Sequence, residues 1–279
     1  MWALDMNMQL EEVTIREHRL LCGDYRLLVM DAPGVGPKVQ PGQFIHFDVP
    51  NQPERMLRRP FSVYKADEET VSILYKPVGR GTRAMVNIQP GDKTSIIGPL
   101  GTGFPLTDTP CPVLVAGGYG MAALLLVAKN LPHKGVIFMG GRNERDILCV
   151  DDFKAIDWEV IITTNDGTLG TRGLVTDALD PWCEEKGFIG GKSEIQPEFF
   201  ACGPNPMLKA VSDRALKHDW TAWLSMDRNM GCGIGACLVC VQKVKRDAPG
   251  PDGKDWTWSR VCREGPVFEC RKLVCDDDE

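Results

Sequence analysis

The sequence predicts three units in tandem: an antiparallel β-barrel, a doubly wound α/β half-domain and a short C-terminal cysteine-rich domain. Three observations carry this reading. Up to Ile97, short apolar runs alternate with turn residues. A continuous apolar run then leads into Gly117-Gly118-Tyr119-Gly120 and opens an alternation of strands and helices. Finally, Gly231-Cys232-Gly233-Ile234-Gly235-Ala236-Cys237-Leu238-Val239-Cys240 sets three cysteines at C-x4-C-x2-C spacing. At 279 residues the chain is long for one hydrophobic core, and the changes of rhythm set the expected units at 1–108, 109–224 and 225–279.

In the first unit, apolar runs at 13–15, 25–30, 44–49, 61–64 and 71–75 are separated by Pro-Gly, Asp-Glu-Glu and Gln-Pro-Gly-Asp. Such punctuation predicts short strands closing into a small barrel. The one helical candidate is a turn or two at 83–87. In the second unit, 112–116 is apolar throughout, as a strand buried on both faces of a parallel sheet must be. An apolar helix is predicted at 121–130. Further strands are predicted at 135–139, 159–164 and 198–202, and helices at 172–179 and 204–218. A strand at 221–226 leads into the cysteine loop. The stretch 247–255, rich in Pro, Gly and charge, reads as a loop, and the acidic end 275–279 as a frayed tail.

Composition narrows the function. The net charge is −6 and the pI near 5.4, with no long basic run, which argues against nucleic acid or an anionic membrane as partner. The first ten residues lack the pattern of a signal peptide, and no stretch has 18 uninterrupted apolar residues. The expectation is a soluble, cytoplasmic protein. In a reducing compartment, clustered cysteines among the 11 present are metal ligands more often than disulfides.

The cysteine loop is the sharpest signal. A single cysteine is ordinarily core filling, but three within a glycine-rich loop, with Cys262 following, match the plant-type pattern for a 2Fe-2S cluster. Glycine supplies the positive φ angles and close amide approach that wrapping a cluster demands. Structural zinc is the alternative, though zinc ribbons usually carry two separate C-x2-C knuckles. Cys270 and Cys275 are alternatives to Cys262 as the fourth ligand.

Other motifs are weaker singly. In Arg59-Pro60-Phe61-Ser62, the arginine suits a forked contact to phosphate, although alone it would read as a barrel-rim residue. Gly79-Arg80-Gly81-Thr82 opens a helix, where phosphates bind. Gly98-Pro99-Leu100-Gly101-Thr102-Gly103-Phe104 closes the barrel. Gly117-Gly118-Tyr119-Gly120 is an incomplete pyrophosphate loop. Cys202-Gly203-Pro204-Asn205-Pro206-Met207 ends a strand at the edge where open α/β sheets bind ligands. The histidines at 18, 46, 133 and 218 are dispersed and support no hydrolase.

Taken in order, R-P-F-S, G-x-G-T, G-P-L-G-x-G-F, G-G-x-G and C-G-P-x-P-M resemble the ferredoxin reductase superfamily across nearly the whole chain. The ending C-G-I-G-A-C-L-x-C and R-V-C-R-E-G-P-V-F resembles one branch, the electron transfer subunits of class 1B dihydroorotate dehydrogenases. That resemblance implies FAD on the barrel, held by Arg59, Pro60, Phe61 and Ser62. Leu74, Tyr75 and Lys76 would lie along its edge, with Gly81 and Thr82 at its phosphates. It implies NAD at Gly117, Gly118 and Gly120, with Cys202 as the catalytic-site residue near the nicotinamide. Cys232, Cys237, Cys240 and Cys262 would ligate the 2Fe-2S cluster. Asp227 stands where relatives often carry glutamate. Arg142 and Arg145, following a strand where this fold reads the adenosine ribose, leave NADP as an alternative.

The implied function is an NAD-linked flavin and iron–sulfur oxidoreductase subunit, serving pyrimidine biosynthesis in a hetero-oligomer with an FMN-containing catalytic subunit. Two alternatives stand beside it. One is the NAD-binding small subunit of a ferredoxin-dependent transhydrogenase, a sulfide dehydrogenase or a hydrogenase. The other is a redox-sensing protein on the same fold that transfers no electrons.

Overall fold

The computed structural model describes residues 7–50, 57–190 and 192–274; the acidic tail, with Cys275, lies outside the described residues. Six strands form a closed barrel: β1 (Gln9–Cys22), β2 (Tyr25–Asp31), β3 (Phe44–Phe47), β4 (Arg59–Ala66), β5 (Thr70–Tyr75) and β6 (Lys93–Leu100), in the order β1-β2-β5-β4-β3-β6. Strand β1 is longer than its apolar centre predicts because its first half pairs with β6 and its second with β2. Register shifts between Ile15 and Glu17 and between Leu20 and Cys22 bend it around the barrel. The interior is filled by Val13, Ile15, Leu28, Ile45, Phe47, Val63, Ile73 and Tyr75. The short helix α1 (Arg80–Ala84) and a 3-10 turn at Met85–Asn87 occupy the predicted helical site.

The second unit is a seven-stranded sheet containing β7 (Pro112–Gly117), β8 (Val136–Gly141), β9 (Glu159–Thr164), β10 (Thr171–Arg172), β11 (Glu198–Cys202) and β12 (Thr221–Ser225). With β15 (Val267–Glu269) at one edge, the order is β10-β9-β8-β7-β11-β12-β15, and β7 to β12 are parallel wherever they pair. Helix α2 (Gly120–Asn130) is buried from Gly120 to Ala128. It is apolar all round because it lies between the sheet and the barrel, sharing cores with Tyr64 and Leu74 on one side and Phe200 and Ile137 on the other.

Helix α3 (Val150–Lys154), which the sequence reading did not anticipate, follows β8. Helix α4 spans Val175–Glu185, starting later than 172 because Gly173 has φ +137° and Asp177 caps the Leu174 amide at 2.8 Å. It also runs through Pro181. Helix α5 (Asn205–His218) ends at Asp219 in the left-handed region, as predicted within a residue.

After β12 the chain forms the cysteine loop and a hairpin, β13 (Val241–Lys245) with β14 (Trp256–Arg260), around the predicted loop. Strand β15 (Val267–Glu269) then returns antiparallel to β12 at the edge of the second sheet. Cys240, Val261, Cys262 and Cys270 share a core with Phe44 and Leu100 of the barrel and Val115 of the sheet. The C-terminal segment is thus stitched into both preceding units.

Candidate functional site

A cleft of about 670 Å³ opens between the outer face of the barrel and the carboxyl edge of the sheet. The barrel contributes Pro60, Phe61 and Ser62 from β4 and Leu74 and Lys76 from β5 and its end. The sheet contributes Gly117 at the end of β7 with Gly118 and Gly120 beyond it, Gly140 and Gly141 at the end of β8, and Cys202 and Ser225 at the ends of β11 and β12. Nine of the predicted residues therefore converge, from both units, at the strand ends where open α/β sheets take ligands. The size and predominantly apolar lining suit a flat cofactor.

Four predicted residues do not line this cleft. Tyr75 points into the barrel, fully buried, with its hydroxyl 2.9 Å from His18 Nε2 and its ring against Phe61; there it serves as packing. Thr82 Oγ1 accepts from the amides of Val78 (3.0 Å) and Gly79 (3.1 Å), so the hydroxyl is committed to its own turn. Arg59 lies over Gly81, where a Cβ would approach its Nε to 2.5 Å. The arginine of R-P-F-S and the turn of G-x-G-T are thus brought together beside the cleft, and Gly81 is required by that contact.

The glycines after β7 also have a packing reason. A Cβ on Gly120 would sit 2.2 Å from the Cys202 carbonyl oxygen, and one on Gly117 would meet Pro204 at 2.7 Å. Their absence lets the first turns after β7 and β11 touch, which shapes the cleft floor. Gly118, at φ +54°, faces the Tyr25 hydroxyl.

A polar knot on the cleft wall was not visible in the sequence. Asp146 is nearly buried and accepts from Tyr25 Oη (2.9 Å), Lys76 Nζ (3.1 Å) and Arg142 Nε (2.8 Å). Burial alone would raise its pKa. The hydrogen bonds from Arg142, Tyr25 and Lys76 outweigh this and hold the carboxyl far below the usual carboxylate range. Lys76 also lies over the Tyr25 ring, 4.6 Å from its centroid. Two knot members come from the barrel and two from the loop after β8, so the knot ties the units across the cleft.

Cys202 is held as a neutral thiol: burial pushes it up to about 12, only partly opposed by a hydrogen bond with Ser225. Burial likewise raises Asp227, against the pull of Arg228 and a hydrogen bond from Tyr119. A neutral thiol is no nucleophile at physiological pH, so Cys202 offers the cleft a wall rather than a reactive sulfur.

The cysteine loop lies beyond the end of the cleft. Gly233 and Gly235 have φ of +72° and +83°, turning backbone amides toward sulfur. Cys232 Sγ accepts from the amides of Ala236 (3.2 Å) and Cys237 (3.4 Å), and Cys237 Sγ from the Cys232 amide (3.4 Å). Burial raises the Cys232 pKa, but these amides and that of Ile234 bring it down to about 7. Cys262 completes the group, its amide donating to Cys240 Sγ at 3.4 Å. Cys270 instead lies in the turn against β12, near the Ala222 backbone, so the geometry favours Cys262 over Cys270.

A small cavity between Gly233, Ile234 and Cys262 and the barrel end at Pro99, Leu100 and Gly101 adjoins the loop. Among the described residues, no three His, Cys, Asp or Glu side chains converge at the spacing of a single metal ion. Soft thiols ringed by amide donors suit a binuclear iron–sulfur group.

Cleft and loop are near neighbours. Phe44 and Pro266 line the cleft, and Phe44 shares a core with Cys240 and Cys262. The glycine-rich end of the barrel docks on the segment after Cys262, with the Thr102 amide donating to the Gly265 carbonyl at 2.5 Å. His46, on β3, faces Gly233 from below; burial first, and then the Arg58 charge, lower its pKa to about 4.

Comparison with known proteins sets this arrangement in a family. Residues 227–274 match the iron–sulfur cluster binding domain of dihydroorotate dehydrogenase B. The electron transfer subunit of dihydroorotate dehydrogenase B (NAD(+)) from Caldanaerobacter subterraneus is 38% identical over 240 residues, 86% of this chain and 89% of the relative. That from Bacillus caldolyticus is 34% identical over 272 residues, 95% and 98% of the two chains. The chain belongs to the family of dihydroorotate dehydrogenase B electron transfer subunits.

Members of this family are electron transfer subunits of an oxidoreductase. Among solved structures, the NADH-dependent reduced ferredoxin-NADP oxidoreductase is similar at TM-score 0.79 and 25% identity, over 94% of this chain and 89% of the other. The ferredoxin reductase of carbazole 1,9a-dioxygenase shares the fold, at TM-score 0.64 over 76% and 67%. Among the described residues no helix is long and apolar enough to cross a membrane.

Proposed function

We propose that this chain carries electrons between NAD(H) and an FMN-containing catalytic subunit that interconverts dihydroorotate and orotate, through FAD and a 2Fe-2S cluster. The observation that carries the reading is the shared wall: Phe44 bounds the cleft and packs in one core with Cys240 and Cys262. When bound, FAD accepts a hydride and releases single electrons, which a cluster takes one at a time.

The residues serve position rather than acid–base chemistry. In this reading Pro60, Phe61, Ser62 and Leu74 seat the flavin ring, with Arg59 beside Gly81 at its phosphate end. Gly117, Gly118 and Gly120 admit the nicotinamide dinucleotide, and the neutral Cys202 walls its reactive end. Cys232, Cys237, Cys240 and Cys262 hold the cluster in an open loop near a partner. Around that loop Ile234, Leu238 and Val239 are exposed apolar residues, as an electron exit facing another subunit requires. Arg142 is engaged with Asp146, which leaves it less available to a 2′-phosphate and favours NAD over NADP. The ten cysteines of the described residues are free thiols, in keeping with a reducing, cytoplasmic setting.

The test is spectroscopic. Purified protein with both cofactors is expected to show flavin and 2Fe-2S bands that NADH bleaches; no bleaching with both present overturns the reading. The similarity to the NADH-dependent reduced ferredoxin-NADP oxidoreductase supports a second reading, the small subunit of a ferredoxin-dependent transhydrogenase. Purifying the native complex separates the two: the first expects an FMN-containing dihydroorotate dehydrogenase subunit as the partner chain.

A further inference from the structure

His46 is a buried polar side chain that neither the cleft nor the cysteine set accounts for. Its exposure is 1%, and neither Nδ1 nor Nε2 makes a hydrogen bond of good geometry, the Cys232 backbone offering only a loose one. A neutral imidazole always carries one N–H, so a donor is enclosed without a well-formed acceptor. Such a group in a folded protein calls for an explanation, and an absent partner is one.

The position of the ring suggests which partner. In the pairing of β3 with β4, Phe44 stands opposite Ser62 and His46 opposite Pro60. Side chains two residues apart share a face, so His46 belongs to the outer face whose Phe44, Pro60 and Ser62 wall the cleft. From the other side the cysteine loop presses onto the ring. A Cβ on Gly233 would lie 2.6 Å from His46 Nδ1 and 2.9 Å from its Cγ, and the Cys232 backbone loosely accepts from the ring. His46 therefore stands between the strand assigned to the flavin and the loop assigned to the cluster.

We propose that His46 is a positioning residue for the iron–sulfur centre, its ring N–H reserved for a sulfur acceptor, thiolate or sulfide, that the loaded loop presents. This rests on the reading of the loop as the cluster's holder. Reduction adds one electron to the cluster and neither makes nor breaks a bond to the protein. A donor aimed at sulfur stabilises the extra negative charge, so it favours the reduced form and raises the potential.

The experiment compares His46→Leu with His46→Gln in the native complex. Iron and sulfide content, flavin content and a redox titration of the reduced-cluster EPR signal are measured together. His46→Leu is expected to lower the ratio of reduced to oxidised cluster at a fixed potential about tenfold, which is 59 mV for one electron. His46→Gln, which keeps an N–H donor, is expected to recover most of that ratio. An unchanged ratio in His46→Leu, or equal shifts in both variants, overturns the proposal.

A second measurement needs no variant. Wild-type protein labelled with ¹⁵N in its histidines is expected to show coupling between an imidazole nitrogen and the reduced cluster by pulsed EPR. A wild-type cluster without that coupling overturns the role of His46 alone. A wild-type complex with no cluster at all overturns the underlying reading of the loop.

Discussion

The cleft and the cysteine loop lie side by side yet are held by different means. In the cleft, neighbouring groups fill the space next to the glycines: the Cys202 carbonyl stands against Gly120, and the Pro204 ring against Gly117. Asp146 ties Tyr25 and Lys76 of the barrel to Arg142 of the α/β unit. In the loop, long amide–sulfur contacts connect the cysteines, Cys237 is exposed, and even Leu238 has φ +58°. The lesson is that the cleft is shaped by packing between the units, whereas the exposed part of the loop has few contacts of its own and is where metal binding would add to cohesion, since metal binding and folding are linked where ligands join loops.

The largest effect that would break or sharpen this contrast is loss of a ligand. Cys262→Ser is expected to abolish the cluster, measured as iron content and reduced-state EPR, while flavin binding survives. A normal cluster in that variant would redirect the fourth ligand to Cys270 or Cys275. Reconstitution after chelation should restore the loop without refolding the cleft, as monitored by hydrogen exchange.

Next is Asp146→Ala, which leaves Lys76 and Tyr25 without their shared acceptor. A loss of about 2 kcal/mol in denaturant stability is expected, less than for a wholly buried pair because Arg142 is exposed. NADH affinity should weaken while the cluster EPR spectrum stays unchanged. The carboxyl's depressed pKa fixes the pH sign. Its contribution is complete above the ordinary carboxylate pKa of about 4 and is lost as pH falls below that toward the folded value. Asp146→Asn should therefore flatten acid destabilisation in this range, as followed by thermal melts from pH 6 downward.

The smallest effects concern single methyl groups. Gly120→Ala should cost about 1–3 kcal/mol, because the new Cβ meets a carbonyl that cannot move alone. Gly79→Ala, with open space at its Cβ and φ −127°, should change stability by less than about 0.5 kcal/mol. Equal melting temperatures for the two variants would remove the claim that backbone packing shapes the cleft.

Much of this was legible in order along the chain. Period-two strands broken by turns foretold the barrel, and the unbroken apolar run at 112–116 foretold a buried parallel strand. The start of α4 was misread because Gly173 and the Asp177 cap override apolar periodicity. The hairpin β13–β14 and helix α3 are too short for periodicity to announce. At the site, the glycine turns were legible but their packing partners were not. Tyr75 and Thr82 looked like ligand contacts because a sequence does not say which face of a strand points inward or which hydroxyl its own turn consumes.

The sequence by itself determined the features that depend on near neighbours: the C-x4-C-x2-C loop, the glycines that bend it, the alternation of strand and helix, and the motif order that relates the chain to its family. Only the tertiary structure decided the rest. It laid the Cys262 amide against Cys240 Sγ, joined β15 to β12, closed Tyr25, Lys76, Arg142 and Asp146 into one knot, and enclosed His46 against Gly233. The physical reason is separation: local conformational preference acts over a few residues, whereas these contacts join strands and loops far apart in the chain, and only burial of a common core selects them.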